Sequence, residues 1–183
     1  LTSSPVNGPA KLINAAGKSL TLNSDTINSA MDNLGTINDF SSSSSINGAL
    51  ATSSGSLIHI EGNGWCWGSN NPILTVANGF TNNGTIEVTT SGNGCGYYGS
   101  STFIVPNGTL LNAGSVHSLV GDNTGSRTIT AQLDNQGTIS VSYPMTVNKA
   151  SAAHLNSGTI NLTGANLTVS SATSFTNTGT LNI

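Results

Sequence analysis

Cys66 and Cys95 are the two cysteines of this chain, and both lie in short segments crowded with glycine and aromatic residues: Gly62-Asn-Gly-Trp-Cys-Trp-Gly-Ser69 and Gly92-Asn-Gly-Cys-Gly-Tyr-Tyr-Gly99. Such a pair offers a disulfide. Around it, Trp65, Trp67, Tyr97 and Tyr98 gather both tryptophans and two of the three tyrosines. Aromatic bodies with polar tips suit half-wet contact surfaces. His59, Glu87 and His117 form a second set, because imidazole and carboxylate are suitable zinc ligands. The seven acids are Asp25, Asp32, Asp39, Glu61, Glu87, Asp122 and Asp134. A polysaccharide lyase or hydrolase would need two of them paired, or a base beside acidic metal ligands.

Which of these residues meet depends on a repeated phrase: Asn, any residue, Gly, Thr or Ser, then an aliphatic residue. It occurs as Asn33-Leu-Gly-Thr-Ile37, Asn82-Asn-Gly-Thr-Ile86, Asn112-Ala-Gly-Ser-Val116, Asn135-Gln-Gly-Thr-Ile139, Asn156-Ser-Gly-Thr-Ile160 and Asn177-Thr-Gly-Thr-Leu181. Aligned on Gly17, Gly35, Gly55, Gly84, Gly114, Gly137, Gly158 and Gly179, the intervals are 18, 20, 29, 30, 23, 21 and 21 residues. A near-constant period of this size marks a repeat architecture whose units are stable only when stacked. Within one repeat, Thr159-Ile-Asn-Leu162 alternates outward and inward, Gly164-Ala165 turns, Leu167-Thr-Val169 is a second strand and Ser174-Phe175 a third. The expected fold is all-β: a three-sided parallel β-solenoid of seven to eight rungs, about 21 residues each, over residues 1–183.

Three inward columns follow. The first is Ile37, Ile86, Val116, Ile139, Ile160 and Leu181; the second runs through Leu74/Val76, Met145/Val147 and Leu167/Val169; the third takes Phe80, Leu111, Leu133, Leu155 and Phe175. The repeat glycine is expected to take a positive φ in a tight turn. The asparagines at 33, 82, 112, 135, 156 and 177 are expected to stack as a hydrogen-bonded ladder.

This pattern resembles the β-solenoid segments of large bacterial surface and secreted proteins, including adhesins of the filamentous haemagglutinin and autotransporter type. The resemblance is one of architecture, covers nearly the whole chain and transfers no site. The low charge and the paired cysteines favour a secreted protein, extracellular or at the cell surface.

In the alignment, residues 61–72 and 90–101 are insertion loops on two adjacent rungs. Cys66 lies 11 residues after Gly55 and Cys95 lies 11 after Gly84. Equal offsets on strands about 4.8 Å apart place them within disulfide range. The bridge pins Trp65, Trp67, Tyr97 and Tyr98 in a lobe read as a glycan-recognition patch, a subunit contact or a small local core. His59, Glu87 and His117 fall near one outward position on three rungs, with one extra residue needed in the rung at Gly55. The outer two would stand roughly 9.6 Å apart at the backbone, so an ion pair or plain exposure is favoured over a metal.

Charged residues make up 6% of the chain, about a quarter of the usual share. Lys11, Lys18, Arg127 and Lys149 are the only permanent cations, too few for a nucleic-acid footprint. No run reaches membrane-span length. The acids do not pair with a base, and there is no phosphate loop or Ser-His-Asp pattern, so neither an enzyme nor a cofactor is expected. An ice-binding face is disfavoured because Glu87 and His117 interrupt the outward threonines at 36, 85, 138, 159 and 180. Asn83, Asn107, Asn161 and Asn166 are glycosylation sequons. Residues 1–16 and 179–183 read as open terminal rungs. The five residues from Gly179 and the sixteen before Gly17 together match the 21-residue period, so copies of the chain are the expected partners, head to tail. A glycan-binding or adhesive segment is the alternative.

Overall fold

The structure, a computed structural model, describes residues 1–40, 42–92, 95–122 and 124–183. Asn93 and Gly94, within the 90–101 insertion, lie outside the described residues. The described residues form 23 strands and no helix, in sheets of eleven, nine and three strands. Short alternating stretches make these strands. In Arg127–Asn135 and Thr138–Val141 every second residue is buried, as one-faced packing requires. The paired strands run parallel apart from one hairpin, and the chain passes from sheet to sheet, an arrangement consistent with a β-solenoid.

Register shows what stacks on what. Leu20, Ile37, Ile58, Ile86, Val116, Ile139, Ile160 and Leu181 pair in succession. From Ile37 to Ile160 these side chains are buried, so the first inward column is as expected. Leu74, Phe103, Ile129, Val147 and Val169 form the second. The third column differs. Phe80 pairs with Leu110 and Leu110 with Leu133, while His154 pairs with Phe175. Leu111 and Leu155 therefore face outward, and buried Leu110 and His154 take the places expected for them. A slip of one residue reverses the face in a strand; at Leu155 the aliphatic residue is the natural inward choice over His154, and at Leu110-Leu111 residue type does not distinguish the two faces. His154 is buried among hydrocarbon, which lowers its pKa, and its Nδ1 accepts the Leu133 N–H at 3.1 Å.

The corners also correct the sequence reading. Lys18 and Ser56, not Gly17 and Gly55, are in register with the repeat glycine, because both corners are four-residue turns. Each turn closes with its fourth N–H bonded to the first carbonyl, Lys18 to Ala15 and Ser56 to Ser53. At the two-residue corners the repeat glycines do not have positive φ. Glycine is needed there for a different reason. A Cβ on Gly114, Gly137, Gly158 or Gly179 would sit 2.1–2.2 Å from the carbonyl oxygen of the preceding corner glycine. That oxygen accepts the N–H of the residue after the next corner, as the Gly114 oxygen does from the Thr138 N–H at 2.9 Å. The missing side chain is therefore space for the neighbouring backbone.

Beside the glycines runs the asparagine ladder. Asn82 Nδ2 donates to Asn112 Oδ1 at 2.9 Å, Asn112 to Asn135 at 2.7 Å, Asn135 to Asn156 at 2.6 Å and Asn156 to Asn177 at 2.6 Å. Asn14, which the repeat phrase had not included, donates to Asn33 at 2.8 Å. The same amides reach a backbone carbonyl opening the next strand, such as Thr138 from Asn112 and Thr159 from Asn135. Thr52 interrupts the series, and Asn82 Oδ1 is buried with no hydrogen-bond partner among the described residues.

One inward position carries an acid. Asp39 stacks between Leu22 and Ile60 and is fully buried, and among the described residues neither carboxyl oxygen has a well-formed hydrogen bond. Burial, then the charge of nearby Asp25, raises its pKa to about 7, and the polar Ser44 side chain opposes them only weakly.

Two measurements follow. Asn135→Ala orphans the Oδ1 of Asn156 and removes an acceptor from Asn112, which should cost about 1–3 kcal/mol; Gly137→Ala should also destabilise, both read by urea unfolding. Folded Asp39 keeps its proton up to about pH 7, whereas an unfolded aspartate releases it near 3.9. Between those values the folded state binds the extra proton, so wild-type stability should fall as pH rises from about 4 to about 7. Asp39→Leu should abolish that slope and be the more stable protein at pH 8.

Candidate functional site

The most irregular place in the stack is where two adjacent strands outgrow their neighbours. Leu57–Trp65 and Thr85–Gly92 pair in parallel from Leu57/Thr85 to Gly64/Gly92. Much of what was expected as loop at 61–72 and 90–101 is therefore strand. Past Trp65 the chain turns through Cys66-Trp67 and returns as Gly68–Asn70, antiparallel to Asn63–Trp65. The segment around Tyr97–Ser100 lies across this hairpin. A Cβ on Gly64 would sit 2.0 Å from the Tyr97 carbonyl oxygen, one on Gly62 2.6 Å from the Ser100 N, and one on Gly99 2.2 Å from the Asn63 N. The glycines let two backbones lie in contact.

Cys66 and Cys95 form the expected disulfide, with Cα atoms 4.5 Å apart. The equal-offset argument is not what places them. Gly84 is in register with Ser56, so the offsets differ by one. The parallel ladder ends at Gly64/Gly92, and the hairpin turn beyond it sets the separation.

The four expected aromatics surround this bridge and face water. Trp67, at the hairpin tip, is 89% exposed; Trp65, Tyr97 and Tyr98 are 39%, 50% and 49% exposed. Trp65 has its benzo ring over Gly68, where a Cβ would lie 3.2 Å from Cζ2. These rings do not form a buried local core.

The second set lines the outer face of the same sheet. Register places Asn38, His59, Glu87, His117 and Ser140 in one column, and the extra residue required near Gly55 is present. His59 Nδ1 lies 3.0 Å from Glu87 Oε2 and its Nε2 2.9 Å from Glu61 Oε2. His117 Nδ1 stands 3.9 Å from Glu87 Oε1. Phe40 packs edge-on against the His59 ring at 5.7 Å. Burial pulls the His59 pKa down, but its hydrogen bonds to Glu87 and Glu61 and their charges outweigh this and raise it. The imidazoles of His117 and His59 hold Glu87 down at about 2 against burial. Both His59 nitrogens are thus engaged by carboxylates. Among the described residues no group of three or more His, Cys, Asp or Glu is arranged to hold a metal ion.

The sequons differ in their surroundings. Asn83 Nδ2 donates to the Thr52 carbonyl and Asn107 Nδ2 to the Ala77 carbonyl. Asn161 Oδ1 accepts from Asn182. Asn166 is exposed.

Sequence reasoning did not single out Arg127. It is buried, donates to the carbonyls of Leu119, Val120, Thr124 and Gly125, and lies 3.9 Å over the Tyr143 ring. It ties Leu119 and Val120 to Thr124 and Gly125 from inside. Its place in the column of Met145 and Leu167 was the available signal.

The chain matches no protein-family model, no curated protein and no solved structure. The disulfide points to an oxidising environment. Among the described residues no helix is long and apolar enough to cross a membrane.

The His–Glu line has a defined pH window. The Glu87 contribution is complete above its unfolded pKa near 4.5 and is lost as pH falls towards 2. The His59 contribution is complete below about 6.5 and is lost as pH rises through its raised folded pKa. Glu87→Gln should therefore cost most stability between pH 4.5 and 6.5 and less at pH 9, and should move the His59 titration, followed by NMR, to lower pH.

Proposed function

We propose that this chain is a structural subunit of an extracellular fibre or surface filament. In this reading a three-sided β-solenoid of seven to eight rungs continues from copy to copy, head to tail. The polarity of the asparagine ladder carries it. Every ladder amide from Asn14 to Asn156 donates towards the C-terminal side. The C-terminal face therefore offers the Asn177 amide as donor, and the N-terminal face the Asn14 oxygen as acceptor.

The apolar columns support the same match. An open hollow of about 280 Å³ at the C-terminal face is lined by Ile160, Leu162, Leu167, Val169, Phe175 and Leu181. Leu12 precedes Asn14 by two residues, as Phe175 precedes Asn177, so setting Asn14 on Asn177 sets Leu12 on Phe175 and Leu20 on Leu181. The corner lengths then differ, four residues against two. The chain already accommodates that difference where the Ser53–Ser56 corner stacks on Leu34-Gly35. Such a heterologous contact does not close and produces a fibre. The resemblance to adhesin-type solenoid segments agrees with a surface role.

A second reading, a glycan-binding or adhesive segment of a larger surface protein, is favoured by one observation: Trp67 stands 89% exposed on a disulfide-tied hairpin.

Thr21 and Asn182 end one outward column, so they would be neighbours across a junction. A Thr21→Cys, Asn182→Cys protein should give uniform thin fibres in electron microscopy and, on mild oxidation, a ladder of covalent oligomers that neither single variant gives. Sedimentation showing only monomers, with no fibres at high concentration, would remove the fibre reading.

A further inference from the structure

The lobe around the disulfide has a composition that narrows what it can hold. Residues 62–72 and 95–101 contain no Lys, Arg, Asp or Glu, and no Leu, Ile, Val, Met or Phe. What they present is four partly or wholly exposed aromatic rings set among amides and hydroxyls: Asn63, Ser69, Asn70 and Asn71. We propose that this lobe is a binding site for a neutral polysaccharide, whose pyranose C–H faces stack on Trp67 and Trp65 and whose hydroxyls meet the neighbouring amides and hydroxyls. This rests on the adhesive reading and not on the fibre reading.

Three features support this occupant. The first is ring chemistry. A pyranose is apolar on its axial C–H face and polar at its rim, which matches indoles carried on a hairpin whose other side chains, the bridged Cys66 apart, are Asn and Ser. A lipid surface would call for aliphatic side chains to enter hydrocarbon or cations to meet headgroups, and the lobe has neither. The second is charge. An acidic sugar would be recognised by Arg or Lys, and the lobe has none, so the ligand is neutral.

The third is rigidity. The hairpin Asn63–Asn70 is tied to the segment from Cys95 by the bridge. The two backbones meet at Gly62, Gly64 and Gly99 without intervening side chains. Asn63 Nδ2 donates to Ser91 Oγ at 2.8 Å, and the Ser100 N–H to Asn71 Oδ1 at 2.9 Å. Trp65 is seated on Gly68. Rings held in place before binding lose little conformational freedom on contact. An 89% exposed Trp67 contributes little to packing, so burial gives little reason for a tryptophan at the hairpin tip.

The test is retention of the purified chain on insoluble cellulose, chitin and β-1,3-glucan, with alginate, heparin and phosphatidylcholine vesicles as comparisons, at 0.1 M and 0.5 M salt. We expect retention on at least one neutral polymer, unchanged by salt, and no binding to the anionic polymers or the vesicles. Trp67→Ala should weaken retention at least tenfold and Trp65→Ala similarly, while circular dichroism and thermal unfolding of Trp67→Ala match wild type. Reduction of the disulfide should also weaken it. Absence of retention on every neutral polymer, binding indifferent to Trp67→Ala, binding that vanishes with salt, or self-association that depends on Trp67 would each overturn the proposal. Fibres of Trp67→Ala that look like wild type would separate this site from end-to-end stacking.

Discussion

A residue in a parallel stack has its own kind, or something like it, about 4.8 Å above and below. Each column must therefore be filled by side chains that tolerate near-copies of themselves. Aliphatic groups do so by covering one another. A carboxamide does so because it carries both donor and acceptor, so Asn82, Asn112, Asn135 and Asn156 can be buried in a line with each amide bonded to the next oxygen. Glycine does so by leaving room for the carbonyl of the preceding corner. A charge does not, because a column of like charges repels itself. The low charge of 6% and the abundance of Asn, Ser, Thr and Gly follow from that rule. The His59–Glu87–His117 column fits it as well, since imidazole and carboxylate alternate from strand to strand.

Features that obey this rule were legible in the sequence, and those that break it were not. The column from Ile37 to Ile160 and the asparagine ladder could be read because identical residues recur at a constant offset. The cysteine pair could be read for a similar reason, although the register slips by one at Ser56. The expectation fails at His154 and Asp39, which occupy inward positions that their neighbours fill with hydrocarbon, and at Arg127, which lies inward between Ser101 and Met145. A reader who trusts residue type over register assigns Leu155 inward and leaves His154 out. Gly17, in a four-residue corner, does have the positive φ, whereas at the two-residue corners the glycine is where the phrase places it but not for the expected reason. Sequence shows that a Cβ is forbidden there, and only the neighbouring carbonyl shows why. The four-residue corners at Ala15–Lys18 and Ser53–Ser56 were hidden because each contains a glycine of its own, one residue before the aligned position.

The exceptions cluster by cause. Asp39, His154 and Arg127 sit inside the stack, where each needs a local remedy: a retained proton, a backbone N–H given to one ring nitrogen, or a cluster of carbonyls around a guanidinium. The lobe is an exception of another kind. Its two strands run on past Ile60 and Val88, where the neighbouring rungs stop, and among the described residues only the hairpin strand Gly68–Asn70 pairs with them there besides each other. A disulfide and glycine-to-backbone contacts take over from stacking there. Side chains in the lobe are freed from resembling those above and below, which is why the tryptophans can appear there and nowhere else in the chain.

The same rule separates the two roles proposed for the chain. Stacking uses backbone edges, inward hydrocarbon and the corner amides, all of which lie along the axis of the columns. Recognition uses outward side chains that need no copy on the next strand. The lobe projects from the flank, from two strands inside the nine-stranded sheet with four strands on the C-terminal side and two on the N-terminal side. Growth at either end of the stack therefore leaves the aromatic rings uncovered, and a ligand on the rings leaves the end columns open. A fibre of this chain would present one lobe per copy along its side, and many weak contacts to a repeating polymer would then act together.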